Sequence, residues 1–294
     1  MQFHLYLPQM RLSLDRLVDT ARAAEAAGFE GMAGMDHLAP PLAESQPMYE
    51  AMITNTWLAA RTERLTLSSL VLCDAVRHPV QLAKEAVTLD HASGGRFELG
   101  IGWGSYQPDF TRFGLAPDTP AGRVRRLRET LQVLQALWRG EAVDFEGEFF
   151  TLRGAIQAPK PLDRIPLVIG GAGPKTIALI HDFADWWNMD VRHLEKLEDG
   201  AYEALRGKVG RARVSLQVMV AYVHAGQDRA AVAETTLRRF AGMKPVIGTG
   251  PELADYFAGL AERGVERIYP WFCDFGAPQT LAAFGETVIG ALGR

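Results

Sequence analysis

The pair Asp36-His37 directly follows a short apolar run at residues 29–35. A histidine at the end of a buried strand can take up or release a proton near neutral pH, and a neighbouring carboxylate can orient it. We therefore take His37 as a candidate general acid or base, with Asp36 as its partner. The alternative is a structural histidine that hydrogen-bonds to its own loop.

A glycine-rich segment follows the apolar run at residues 166–169. Its glycines would let backbone N–H groups converge, and the start of the following helix would favour an anion. The segment therefore predicts a phosphate site, with a glycine-rich turn that binds nothing as the alternative. Its spacing fails the Walker A motif, and a threonine replaces the third glycine of a dinucleotide fingerprint. The segment consists of Gly170, Gly171, Ala172, Gly173, Pro174, Lys175 and Thr176.

Two other segments end apolar runs and carry weaker signals. Glycines after the run at 97–101 would let a planar ring or a phosphate approach the backbone, although a tight turn explains them equally well. These residues are Gly102, Trp103 and Gly104. The run at 65–72 ends in a segment that by itself indicates only a buried strand, and this segment contains Leu70, Val71 and Cys73.

The elements that must position these residues alternate regularly along the chain. Short runs rich in Val, Ile and Leu are separated by longer segments of helical period, as in parallel strands covered on both faces. Eight such units predict an α/β fold, a closed (β/α)₈ TIM barrel. The alternative, an open doubly wound sheet, usually has a GxGxxG turn after its first strand, where this chain has none. The predicted strands are 3–8, 29–35, 65–72, 97–101, 167–170, 184–188, 215–223 and 267–272.

Residues 144–164 break this alternation and predict a β-rich insertion or long loop within a single barrel domain that covers 1–294. In such barrels the active site lies at the carboxyl ends of the strands. All four candidate segments follow predicted strands, so we expect them to meet at one mouth of the barrel.

Composition excludes several classes of protein. A net charge of −4 over 294 residues disfavours a nucleic-acid-binding protein. The chain has no apolar run of the roughly 18 residues that a membrane helix needs. Cys73 and Cys273 form no CxxC pair, which predicts a reduced, cytoplasmic protein. The histidines occur singly, which disfavours a metal site, and the absence of a GxSxG elbow disfavours a serine hydrolase.

The segments together resemble the luciferase-like flavin-dependent oxidoreductase family over nearly the whole chain. The most specific stretch is 64–104, which contains RHPVQLAKEAVTLDHASGGRFELG and ends in IGWG. The same family pattern includes AAGFEG at 26–31, MDHL at 35–38, FADWWN at 183–188 and IGTGPELA at 247–254.

The resemblance implies a barrel that binds FMN or the deazaflavin F420 at its mouth. It implies a catalytic role for His37, with Asp36 beside it, and a non-proline cis peptide bond between Leu70 and Val71 behind the ring. It further implies that Gly102, Trp103 and Gly104 line the cofactor, with Cys73 nearby, and that the glycine-rich segment from Gly170 to Thr176 holds its phosphate.

Asp36-His37 and the segment 93–104 are more similar to the F420-using branch. We therefore expect an F420-dependent oxidoreductase that transfers a hydride between the deazaflavin and a small organic substrate. An FMN-dependent monooxygenase supplied by a separate flavin reductase is the alternative, and a non-catalytic flavin carrier or sensor is a third. The family often dimerises, so we expect a homodimer.

The acidic tail of F420 would favour basic residues at the mouth. The arginines from 123 to 128 lie on a predicted helix, and a solvated helix face explains most of them better than cofactor binding does. The candidates are Lys175, Arg77, Arg123, Arg125, Arg126 and Arg128.

Overall fold

The chain folds around a ring of parallel strands. A computed structural model describes residues 1–41, 43–115, 119–195 and 200–292. The ring is formed by β1 (Gln2–Tyr6), β2 (Gly31–Gly34), β3 (Thr66–Ser69), β4 (Leu72–Cys73), β5 (Leu99–Gly102), β8 (Leu167–Gly170), β9 (Trp186–Asp190), β10 (Arg213–Tyr222) and β12 (Arg267–Phe272). Three strands lie outside the ring: β6 (Val143–Glu146), β7 (Thr151–Ala155) and β11 (Val246–Gly248).

The ring contains eight barrel strands, because β3 and β4 are two halves of one strand that is split at Leu70-Val71. Its strand order is β1, β2, β3/β4, β5, β8, β9, β10 and β12, and all neighbours pair in parallel. Two contacts between the third and fourth barrel strands close the ring: a parallel bridge between Leu67 and Phe97, and the pairing of β4 with β5. The (β/α)₈ barrel predicted from the sequence is confirmed.

Helices cover the outside of the barrel. Their ends follow ordinary capping rules: Ser13 accepts a hydrogen bond from the Arg16 amide at the first helix, and Gly94 ends the third in the left-handed region. The helices are α1 (Leu14–Ala26), α2 (Ala51–Ala59), α3 (Pro79–Ser93), α4 (Gln107–Arg112), α5 (Pro120–Trp138), α6 (Pro174–Phe183), α7 (Val191–Glu195), α8 (Ala201–Arg206), α9 (Arg229–Arg239), α10 (Gly250–Glu262), α11 (Pro278–Phe284) and α12 (Gly290–Leu292). A 3₁₀ turn lies at Asp74–Val76 and a π-helical turn at Gly285–Ile289.

The observed strands agree with the predicted ones in number and order around the barrel. Strands β8 and β12 have the predicted bounds, whereas the prediction for 65–72 missed the split between β3 and β4. The prediction also missed β11, a short strand that pairs with β10 beside the barrel. An antiparallel hairpin of β6 and β7 lies where the insertion was predicted. That residues 1–294 form a single domain remains a prediction.

The main core lies between the barrel and the helices. Leu17, Leu82, Leu131, Ile180 and Phe257 come from five different helices and are almost fully buried against the strands. Burying such side chains contributes roughly 1.5–3 kcal/mol each. A continuous core of this size fixes the strand ends, and with them the segments at the mouth.

No helix in the described ranges is both long enough and apolar enough to cross a membrane.

Candidate active site

A cavity of about 460 Å³ opens at the mouth of the barrel, where the strands end. Ligand sites in proteins commonly have volumes of about 300–1,000 Å³. The predicted residues that line it are Asp36, His37, Leu70, Val71, Cys73, Gly102, Trp103, Gly104, Gly170, Gly171, Ala172, Gly173 and Thr176. The structure brings these together but leaves Pro174 and Lys175 exposed on the first turn of α6, outside the cavity wall.

The floor of the cavity is formed where the third barrel strand is split. The Leu70-Val71 peptide bond is cis, as the family resemblance implied. A Cβ atom at Gly102 would stand 2.8 Å from Cγ2 of Val71, so β5 needs a glycine there. At Gly170 the nearest atom to a Cβ would be 3.8 Å away, also on Val71. Val71 therefore lies beside one glycine of β5 and one glycine of β8, and the missing side chains at these two positions leave an apolar floor that a planar ring can approach.

Asp36 does not pair with His37. Both of its carboxylate oxygens accept hydrogen bonds from the Arg77 guanidinium, at 2.5 and 2.9 Å, and one also accepts from the Cys73 amide at 2.7 Å. Burial opposes the charge of Arg77, but the hydrogen bonds and negative charges of Asp36 and Glu50 together outweigh it and raise the pKa of Arg77. The predicted pairing of Asp36 with His37 is therefore wrong. The two residues are neighbours in the sequence, but their side chains bind different partners.

His37 is partnered instead by a carboxylate from another loop. Its Nδ1 lies 2.8 Å from Oδ2 of Asp109, which is buried on α4. The ring of Tyr106 packs edge-on against the imidazole, with 5.2 Å between centroids. All three residues line the cavity. The imidazole is thus held on two sides and is about a quarter exposed.

The glycine-rich segment leads into the first turn of α6. Gly171 has φ +125°, in the region that favours glycine, and its amide donates to the Asn188 carbonyl at 3.1 Å. Gly173 is the N-cap and provides no side-chain cap, unlike Ser13 at α1. First-turn amides and the helix dipole attract anions. This end of α6, with the buried Thr176 beside it, is suited to a phosphate or carboxylate.

Arg123 supports the cavity wall from behind. It is buried, and its guanidinium donates to the Gly104 carbonyl at 2.5 Å and to the Gln107 side chain at 3.1 Å. It also lies 4.1 Å from the centre of the Phe110 ring. Arg123 therefore holds the segment between β5 and α4 against α5.

The other arginines of α5 face away from the cavity. Arg126 pairs with the buried carboxylate of Asp74, whereas Arg125 and Arg128 form exposed ion pairs with acidic residues. The interpretation as a solvated face therefore holds for Arg125 and Arg128. Exposed pairs of this kind contribute about 0–1 kcal/mol each.

Cys73 lines the cavity as a neutral thiol. Burial raises its pKa to about 11, with smaller contributions from Asp36 and Asp74. A thiolate is the nucleophilic form of cysteine, so Cys73 has little nucleophilic character near neutral pH. Across the described ranges, no group of three or more His, Cys, Asp or Glu side chains is arranged to hold a metal ion.

Sequence reasoning missed two cavity residues that can bear chemistry. Asp109 lies inside a short helix, and its sequence neighbours gave no sign of a partner 72 positions away. His193, in α7, also lines the cavity. Its position shortly after the sixth barrel strand was the available signal, since side chains that follow a strand reach the mouth.

The cavity meets the requirements of a flavin-type cofactor. The glycines and Val71 provide a flat apolar surface for a ring, and the N-terminus of α6 provides donors for an anionic group. A parallel barrel with these features at the carboxyl ends of its strands belongs to the class of TIM-barrel proteins that bind ligands at the mouth.

The family model for luciferase-like monooxygenases matches residues 1–269. The chain belongs to this family, which confirms the resemblance inferred from the sequence.

Relatives and solved structures agree with this membership. The chain is 35% identical over 173 residues to an F420-dependent glucose-6-phosphate dehydrogenase of Nakamurella multipartita, covering 58% of this chain and 50% of that protein. It is 31% identical over 227 residues to a protein of the same name in Microbacterium testaceum, covering 74% and 66%. The chain thus spans between half and two thirds of these relatives.

The fold is also that of a solved F420-dependent secondary alcohol dehydrogenase, in complex with an F420-acetone adduct. The TM-score is 0.83 at 19% identity, over 99% of this chain and 98% of that one.

Proposed function

We propose that this protein is an F420-dependent oxidoreductase that transfers a hydride between the deazaflavin and a small organic substrate. The observation that carries the proposal is the position of His37 on the wall of a cavity that has a glycine floor and an uncapped helix N-terminus. The F420-dependent relatives support the choice of cofactor.

Each group of cavity residues has a task in this proposal. When bound, F420 accepts or donates a hydride. Val71, Gly102 and Gly170 would contact its ring, and the amides at the start of α6 would bind its phosphate. The residues from Trp103 to Phe110 exclude water from one side.

His37 is the proposed acid–base residue. In the oxidative direction, Nε2 of His37 would take the hydroxyl proton of a substrate R₂CH–OH. The hydride on the same carbon would pass to the deazaflavin, which leaves R₂C=O. The reverse reaction returns both. Because Nδ1 is bound to Asp109, Nε2 is the nitrogen available for this transfer.

Asp36 acts indirectly in this proposal, by holding the loop that carries His37. Its carboxylate joins the loop after β2 to the Cys73 amide and to Arg77, and so fixes the backbone from which His37 projects. We assign it to positioning rather than to proton transfer.

Turnover under controlled oxygen tests the reaction type. We expect anaerobic conversion of oxidised F420 to its reduced form with a panel of neutral alcohols and sugar phosphates. Oxygen consumption coupled to substrate in the presence of reduced FMN, with no F420 turnover, would replace the proposal by an FMN-dependent monooxygenase fed by a flavin reductase. The description of the family model favours this second candidate.

The proposed assembly is a homodimer that buries an apolar surface of α2. Leu14, Tyr49, Ile53 and Trp57 line a shallow groove, and Ile53 is 72% exposed. Exposed apolar patches of this kind mark interaction sites. We expect light scattering to give the mass of a dimer for the wild type and of a monomer for Ile53→Glu; a monomeric wild type would contradict this.

The proposed location is the cytoplasm. Cys73 and Cys273 are both free thiols, and reducing compartments keep thiols in this state.

A further inference from the structure

We propose that Asp109 is a positioning residue for proton transfer: its carboxylate fixes the tautomer of His37, so that Nε2 carries the lone pair that faces the cavity. This inference rests on the proposed function, because it assigns a partner to the proposed acid–base residue. The central claim of the inference, which tautomer of His37 is present, can be measured without enzymatic turnover.

The geometry of the pair is that of a carboxylate-oriented imidazole. Oδ2 of Asp109 lies 2.8 Å from Nδ1 of His37, within the range of a strong hydrogen bond. Asp109 is 6% exposed, so water competes little for its oxygens. The edge-on contact with Tyr106 limits rotation of the imidazole from a second direction.

The chemistry of the two groups determines which nitrogen carries the proton. A neutral imidazole has one N–H, and an ionised carboxylate can only accept hydrogen bonds. Nδ1 must therefore be the donor to Asp109, and Nε2 the acceptor. After Nε2 has taken a proton, the same carboxylate faces the positive charge of the ring.

Asp36 cannot take this role. Both of its oxygens accept from Arg77, a permanent cation, so its charge is already compensated at a distance from the imidazole. The segment that carries Asp109 is itself anchored, since Arg123 binds the Gly104 carbonyl and stacks on Phe110. A buried carboxylate on a fixed helix is what the positioning of a catalytic imidazole requires.

The test uses Asp109→Asn, which keeps the shape of the side chain but can donate to Nδ1. The ¹⁵N chemical shifts of the imidazole, assigned by comparison with His37→Gln, report the tautomer. We expect Nδ1–H in the wild type and Nε2–H in the variant. Unchanged tautomers would overturn the proposal whether or not the protein turns over F420.

Kinetics provide the second readout. We expect kcat of Asp109→Asn to fall on the order of 10²–10⁴-fold, as for other carboxylate-oriented histidines, with the Kd for F420 unchanged. In a His37→Gln background the same change should cost less than about threefold, because Asp109 acts through His37. A full additional loss in that background would contradict the proposal.

Two outcomes separate this inference from the proposed function. If the wild type turns over no substrate with F420, the proposed function fails, while the tautomer measurement still decides the role of Asp109. If Asp109→Asn does not fold, Asp109→Ser removes the carboxylate with less bulk and is measured in the same way. Loss of the Nδ1–H preference in that variant supports the proposal, and its retention overturns it.

Discussion

Each end of the barrel buries a carboxylate beside a basic side chain, yet the two pairs differ in the hydrogen-bonding groups that they leave free. At the amino ends of the strands, the guanidinium of Arg267 binds both oxygens of Glu98 at 2.6 and 3.0 Å, with Tyr269 alongside. At the mouth, Asp109 binds one nitrogen of His37, and within the described part of the chain the other nitrogen has no such partner. In the pair of Arg267 and Glu98, both carboxylate oxygens are bound to the guanidinium. In the pair of His37 and Asp109, one imidazole nitrogen can still bind a ligand.

The difference follows from the elements that carry each pair. Arg267 begins β12 and Glu98 immediately precedes β5, so the backbone of the barrel fixes both. His37 and Asp109 lie in segments that follow strands, where chain length and composition can vary without changing the barrel. One end of the barrel thus stabilises the fold and the other end carries the candidate active site, as in other TIM barrels.

The largest effect is expected from removal of the imidazole at the mouth. His37→Ala should lower kcat on the order of 10²–10⁴-fold, the usual contribution of a general acid–base residue, with F420 still bound. Steady-state kinetics and a fluorescence titration measure the two quantities. His181→Ala, on the exposed face of α6, is the matched control and should leave both unchanged. A loss of less than about tenfold in kcat would remove the acid–base role of His37.

Breaking the pair at the opposite end should affect stability instead. Glu98→Gln leaves the buried Arg267 without its carboxylate, and such losses cost roughly 3–5 kcal/mol in the free energy of unfolding. Urea denaturation measures the change, and the kcat of the remaining folded enzyme should stay near that of the wild type. A variant as stable as the wild type, but inactive, would reverse the roles that we assign to the two ends.

The same end of the barrel should make the protein sensitive to acid. Burial, with the nearby charge of Arg267, lowers the pKa of His4 well below its usual value. The unfolded chain therefore takes up a proton as the pH falls below about 6.5, and the folded protein does not, so that stability declines by up to about 1.4 kcal/mol per pH unit. Urea denaturation at pH 6.5 and 5.0 measures this loss. His4→Gln should reduce it, and an unchanged pH dependence in that variant would refute the assignment.

A smaller effect is expected at the start of α6. Gly173→Val places a side chain at the uncapped helix end and should weaken F420 binding by about tenfold, or about 1.4 kcal/mol. Gly173 has an ordinary φ of −69°, so backbone strain does not confuse the result. Gly259→Val, on the exposed face of α10 with open space around it, is the control for a glycine replaced in a helix. Equal affinity in both variants would argue against a phosphate site here.

The barrel was predictable from the sequence because each strand is a short apolar run of its own. The runs at 167–170 and 267–272 even had the observed bounds, since a proline or a charged residue marks their edges. Strand β11 was not predictable in this way, because three residues beside the barrel carry too little pattern. The split of the third strand was missed, and the cis peptide bond at which it occurs was implied only by the family resemblance.

The composition of the site was also predictable, but its pairings were not. Residues that follow parallel strands must meet at one mouth of the barrel, so their position after a predicted strand was enough to predict most of the cavity wall. Asp36 was expected beside His37 because the two are adjacent in sequence. Successive side chains point in different directions, and the true partner, Asp109, lies 72 positions away.

The most direct test of the central claim is a pair of fluorescence titrations of the purified protein, one with F420 and one with FMN. The cavity at the mouth predicts saturable, one-to-one binding of F420 that is weakened in Gly173→Val, and much weaker binding of FMN. Tight binding of FMN alone would contradict the choice of cofactor, and binding of neither would contradict the assignment of the cavity as a cofactor site.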